Sequence, residues 1–163
     1  TVEQNGIQLL QSIGYQVRDA ERILSPESGS VGSILTLQSG SGGINPTIIG
    51  VSSGSVILVQ RSTRQTITSS QVAVESFVVE NTSASAAQGS VLVRFRLSRT
   101  IRLQAPRKYV QSFEAVFRAF PVDAPRGDSC HCASPGCGGP TSYVWQVCNA
   151  GICETAQTQM QCP

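Results

Sequence analysis

Apolar residues near the start of the chain recur at helical spacing. Leu10, Ile13, Val17, Ala20 and Leu24 are separated alternately by three and four positions, with Ile7 and Leu9 extending the stripe and Ile23 flanking it. Such a stripe buries one face of a helix against a core. Gln11, Gln16, Arg18, Asp19 and Arg22 lie mostly off that face, so residues 1–24 are predicted as one helix, ended by Pro26 and Gly29. Gly14 weakens the helix slightly and suits close approach to a sheet.

After residue 30 the period changes to two and turn residues recur. Residues 33–39 read as a short strand and 40–46 as a loop. Residues 47–51 and 56–61 read as a hairpin around Ser52-Ser53-Gly54-Ser55. Residues 72–80 form a strand whose alternation slips near Glu75-Ser76, followed by a loop of small residues over 81–89. In 90–98, Val91, Val93, Phe95 and Leu97 face one way and Leu92, Arg94 and Arg96 the other. In 108–120, Tyr109, Phe113 and Phe117 oppose Val110, Val116 and Phe120. One helix followed by antiparallel strands predicts an α+β fold, with the helix packed on an antiparallel sheet. A turn-rich stretch over 121–128 separates this unit, residues 1–120, from a cysteine-rich C-terminal subdomain, residues 121–163. There 142–148 and 152–157 read as a last hairpin about Asn149-Ala150-Gly151, which sets Cys148 opposite Cys153, close enough to bond across it.

Composition changes this picture little. At 163 residues the chain suits one sizeable core. Charged residues are only 13%, so neutral polar side chains carry the solubility, as suits an extracellular surface. A net charge of +2 names no partner. The local charge is more informative. Arg94, Arg96, Arg99, Arg102, Arg107 and Lys108 form a basic stretch without an acidic residue. Arginine's planar fork of donors suits phosphates and carboxylates, so these six are candidate polyanion-binding residues. The plainer reading is an exposed strand face whose charges discourage edge pairing. Tyr109 is the best-placed aromatic for base stacking.

Cys130, Cys132, Cys137, Cys148, Cys153 and Cys162 all fall in the last 34 residues. An even number in a Gly/Pro-rich tail reads as a disulfide framework formed in an oxidising compartment; six cysteines allow 15 pairings, and sequence does not choose among them. Cys130, His131, Cys132 and Cys137 are the one metal-like grouping, but the paired two-residue gaps of structural zinc are missing, and no metal or cofactor is expected. His131 is the only histidine, so a Ser–His–Asp system would have to use it, beside Asp128 and Ser129. Glu75, Glu80 and Glu114 on predicted strands offer carboxylates, read here as solvated. Gly40-Ser41-Gly42-Gly43 lacks the lysine and helix of a phosphate loop. No enzymatic activity is expected. Asn81-Thr82-Ser83 is a formal glycosylation sequon in a predicted loop. Tyr143 and Trp145 are expected to pack the tail. No stretch reaches the roughly 20 apolar residues of a transmembrane helix. Thr1-Val2-Glu3-Gln4 does not start a signal peptide, so any export signal or anchor is expected to have been removed or to lie upstream.

Several of these segments, in this order, carry a family resemblance. The stretch Ile13-Gly14-Tyr15-Gln16-Val17-Arg18-Asp19-Ala20-Glu21-Arg22-Ile23-Leu24-Ser25-Pro26 resembles the exposed second half of a type IV pilin helix. Residues 74–83 with Gly89-Ser90-Val91-Leu92-Val93-Arg94-Phe95-Arg96-Leu97-Ser98 resemble the paired strands of minor pilins and J-type pseudopilins of type II secretion. Gln111-Ser112-Phe113-Glu114-Ala115-Val116-Phe117-Arg118 resembles their closing strand. The resemblance covers roughly residues 1–120. It implies a structural subunit of an extracellular or periplasmic filament or secretion apparatus, joined to other pilin subunits through the N-terminal helix. It implies membrane contact only through an apolar segment that this sequence lacks. The alternative function is adhesion or DNA capture, through the Arg94–Lys108 strand or the cysteine-rich tail.

Overall fold

The computed structural model describes residues 1–40, 42–85, 88–119, 130 and 132–163. Helix α1 spans Val2–Arg18. Thr1 caps it, its side chain accepting from the Gln4 N–H while Gln4 reaches back to the N-terminal ammonium. Leu9, Ile13 and Val17 of the apolar stripe are fully buried and Leu10 packs partly against the core, but Ile7, expected to extend the stripe, is 47% exposed.

The helix is shorter than the predicted span of 1–24. It stops at the C-cap Asp19, and Ala20–Ser25 forms strand β1. Ala20 is buried in either conformation, so the stripe alone does not fix the boundary. As a strand, this segment pairs with β3 (Leu35–Ser39) and gives its backbone groups partners in a sheet. Ile23 still reaches the core.

One five-stranded antiparallel sheet runs in the order β1, β3, β4 (Thr47–Ser52), β5 (Ser55–Gln60) and β6 (Thr63–Thr66). The β4–β5 hairpin turns through Ser53 and Gly54, both at positive φ, as a two-residue primed turn requires. A second, four-stranded sheet runs in the order β2 (Val31–Gly32), β7 (Ala73–Asn81), β8 (Ser90–Ile101) and β9 (Arg107–Arg118). The predicted slip near Glu75 is a register shift between Val74 and Ser76. The two sheets and α1 enclose the main core. Leu35, Leu37, Ile49, Val56 and Leu58 meet Phe77, Val79, Val91, Val93, Phe95 and Leu97 there.

Helix and sheet interlock at two glycines. A Cβ on Gly6 would lie 2.0 Å from the Phe113 ring, and one on Gly14 would lie 2.8 Å from the Phe117 ring. Both phenylalanines are on β9, so β9 runs alongside α1 and in the same direction. From Gly6 to Gly14 the helix rises about 12 Å, and from Phe113 to Phe117 the strand rises about 13 Å, so the two notches are in step.

The tail forms a three-stranded sheet of β10 (Gly136–Gly139), β11 (Ser142–Asn149) and β12 (Ile152–Gln159). The β11–β12 turn falls at Ala150 and Gly151 as expected, again with positive φ at both. This sheet packs on the far face of the five-stranded sheet. Tyr143, Trp145, Val147 and Met160 meet Ile34, Ile48, Ile57 and Val59 in a second core. The expectation that Tyr143 and Trp145 pack the tail holds, but what they pack against is the larger unit. The predicted connection over 121–128, together with Phe120, Asp128, Ser129, His131 and Ser41, lies outside the described residues.

Candidate functional site

All six cysteines are paired: Cys130–Cys148, Cys132–Cys153 and Cys137–Cys162. The sequence left the pairing open, and the Cys148–Cys153 bond that the hairpin would allow is not formed. The two do sit opposite each other on β11 and β12. Each instead takes a partner from the Cys130–Cys132 segment, which lies along the hairpin and donates the Ala133 N–H to Gln146 Oε1 at 2.7 Å. The outcome is a cross-link between three chain segments, where a Cys148–Cys153 bond would only have reinforced a two-residue turn. Sγ atoms of Cys130, Cys132 and Cys153 lie within 4.8 Å of one another, but all three are engaged in disulfides. Three disulfides point to an oxidising, non-cytoplasmic compartment. No helix among the described residues is long and apolar enough to cross a membrane.

The tail is fastened to the five-stranded sheet by polar as well as apolar contacts. Trp145 Nε1 donates to the Arg61 carbonyl at 2.7 Å, and Arg61 Nη2 donates to the Cys148 carbonyl at 3.1 Å. The Tyr143 hydroxyl lies 2.6 Å from Thr36 Oγ1. Burial pushes the Tyr143 phenol above its ordinary pKa, and the hydrogen bonds from Thr36 and Ser25 offset part of that rise.

The basic stretch does not gather into one patch. Arg94, Arg96 and Lys108 stand on the outer face of the four-stranded sheet, among carboxylates. Arg94 pairs with Glu80 at 3.6 Å and sits opposite Glu114 on β9. Lys108 pairs with Glu75 at 2.6 Å, and Ser98 also donates to Glu75. The Lys108 ammonium and the Ser98 hydroxyl together hold the Glu75 carboxyl below the ordinary glutamate range. Three cations therefore face Glu75, Glu80 and Glu114, three carboxylates, and the middle of this face is close to neutral. Sequence reading missed this because the acids lie on neighbouring strands. Alternation across the β7–β8 and β8–β9 registers would have placed them there.

Arg99, Arg102 and Arg107 are different. They lie at the far end of the β8–β9 hairpin, and none has a salt-bridge partner among the described residues. Arg99 pairs in register with Tyr109, and Arg107 with Ile101. Leu103 and Tyr109 are 70% and 52% exposed beside them.

At the opposite end of the same sheet, Arg18 and Arg118 line a shallow groove of about 530 Å³ with Thr82 and Ser90. The sequence signal for it is a basic residue at the end of α1 and another at the end of β9, brought together because the two elements run in step. The sequon is not a usable site in this fold. Asn81 is 3% exposed, its Nδ2 donates to the Pro26 carbonyl at 2.8 Å, and its Oδ1 accepts from the Ser83 N–H.

No protein-family model matches this chain, no curated protein matches its sequence, and no solved structure matches it.

Proposed function

We propose that the chain is the head of a minor pilin or pseudopilin, a structural subunit of an extracellular filament or secretion apparatus that works by assembly and surface contact, without bond chemistry. The observation that carries this reading is the two-sidedness of α1. One face is fixed to β9 by the Gly6–Phe113 and Gly14–Phe117 notches. Away from it Ile7 and Tyr15 are 47% and 64% exposed, about 80° apart around the helix, with Tyr15 outward and Ile7 at the flank. A helix held along a sheet edge with Ile7 and Tyr15 left exposed is suited to packing against neighbouring subunits. The disulfide-bonded tail suits the oxidising side of a membrane.

The test is made in the cells that produce the protein, with cysteine introduced at Ile7 or Tyr15. Sheared surface material should contain the chain, and oxidation should give a ladder of cross-linked species. A chain that never appears in that fraction and stays monomeric after oxidation would exclude the filament role.

The second reading, adhesion or DNA capture through the basic strand, draws little support from Arg94 and Arg96, whose surroundings are neutralised. Within the Arg94–Lys108 stretch, Arg99, Arg102 and Arg107 at the hairpin end are the cations without a salt bridge or facing carboxylate among the described residues.

A further inference from the structure

The β8–β9 hairpin reaches past the start of α1. Phe113 marks the level of Gly6. From Phe113 back to Arg107 the strand covers about 20 Å, whereas from Gly6 back to Thr1 the helix covers about 8 Å. The hairpin end therefore lies about 12 Å beyond the level of Thr1. That end carries Arg99, Arg102, Arg107 and Lys108 and no acidic residue from 99 to 109. Lys108 is bridged to Glu75, which leaves three cations without a salt bridge among the described residues. Between them Leu103 and Tyr109 are the exposed apolar groups.

We propose that this hairpin end is a membrane-surface contact, in which the arginines bind anionic lipid headgroups while Leu103 and Tyr109 enter the headgroup layer. The combination identifies the occupant. Arginine stems lie along an apolar surface while their guanidinium groups stay with phosphates. Tyrosine places an apolar ring and a polar tip across the same boundary. A nucleic acid would use the cations but has no use for a leucine 70% exposed at the apex, and Tyr109 alone is a poor stacking platform. The hairpin end also lies on the N-terminal side of α1. One such contact gives weak, reversible binding and gains strength beside a second anchor. The proposal rests on the filament-subunit reading only for which membrane is met. Vesicle binding by the isolated chain succeeds or fails independently of filament assembly.

The experiment is co-sedimentation of the oxidised chain with vesicles of phosphatidylglycerol and phosphatidylcholine, against phosphatidylcholine alone, at low and high salt. Binding is expected only with the anionic lipid and is expected to fall as salt rises. Arg102→Gln and Arg107→Gln should each weaken it roughly fivefold. Leu103→Ser should weaken it at both salt concentrations. Arg118→Gln, at the opposite end, should leave it unchanged. All four residues are exposed, and far-UV circular dichroism checks that each variant is folded. No preference for anionic vesicles, or equal loss from Arg118→Gln, overturns the proposal. So does tight binding to duplex DNA that depends on Arg102 and Arg107 but ignores Leu103, which would assign the hairpin end to nucleic acid.

Discussion

At the scale of single residues, the two helical glycines and Glu75 matter most. Gly6 is a space requirement: an added methyl would overlap three atoms of the Phe113 ring at 2.0 to 2.5 Å. Alanine gains about 1 kcal/mol of helix propensity, and overpacking costs about 1–3 kcal/mol. The closeness of the ring makes the cost the larger, so Gly6→Ala should lower the denaturation midpoint, and Phe113→Leu in the same chain should recover part of the loss. A Gly6→Ala protein more stable than the parent would mean that the helix does not sit in that notch. Gly14 meets Phe117 less closely, at 2.8 Å, and its substitution should cost less. Glu75 yields a pH prediction. Lys108 and Ser98 lower its pKa in the folded chain, so the carboxylate binds a proton less readily there than in the unfolded chain. Its contribution is then present above the unfolded carboxyl pKa and is lost as pH falls through the depressed one. The Glu75 carboxyl carbon should titrate below an ordinary glutamate by NMR, and Lys108→Gln should move it upward. An unchanged midpoint in that variant would remove the ammonium as the cause.

At the scale of elements, the disulfide arrangement is the sharpest expectation. Cys130→Ser with Cys148→Ser should leave no free thiol, because the two are partners. Cys148→Ser with Cys153→Ser should strand Cys130 and Cys132 and expose two thiols to a thiol reagent. The reverse pattern would mean that Cys148 and Cys153 bond across the hairpin. Removing Cys132–Cys153, which spans 21 positions, should cost about 3 kcal/mol. What was legible in the sequence follows the same scale. The β4–β5 and β11–β12 hairpins were readable because their turns demand positive φ and contain glycine at the right place. β8 was readable because only one of its faces is buried, so its alternation is clean. The end of α1 was not, because Ala20 and Ile23 satisfy a helical stripe and a core-facing strand alike. β6, Thr63–Thr66, is exposed throughout, so no apolar pattern announces it. The disulfide pairing was hidden because it depends on where the Cys130–Cys132 segment lies, a fact of tertiary structure. For the candidate site, the cations were visible in a row, but their neutralising carboxylates come from other strands.

At the scale of the whole molecule, the apolar runs of β4 and β5 carry the argument. Thr47-Ile48-Ile49-Gly50-Val51 and Val56-Ile57-Leu58-Val59 do not alternate, because this sheet is covered on both faces. Ile49, Val51, Val56 and Leu58 face the main core, while Ile48, Ile57 and Val59 face the tail. Gly50 lets Met160 approach closely: a Cβ there would lie 2.5 Å from its sulfur. The tail therefore closes a core that the rest of the chain leaves open, and the two should unfold together. Trp145 is the only tryptophan and is 2% exposed in that second core, so its fluorescence reports the tail and its contact with the sheet. Far-UV circular dichroism reports mostly the larger sheets. The two denaturation curves should coincide, as for a single cooperative unit. Met160→Ala, a cost of about 2–5 kcal/mol for a fully buried side chain in that core, should shift both curves by the same amount. A chain ending at Ala119 should expose Ile34, Ile48, Ile57 and Val59 as one apolar face and self-associate. A fluorescence transition that precedes the dichroism change, with a soluble monomeric truncation, would instead make the tail an independent module resting on a complete head. The part-buried Trp145–Arg61 and buried Tyr143–Thr36 hydrogen bonds argue for the first outcome, since separating the two layers leaves both pairs to be resolvated at once with the apolar surface around them.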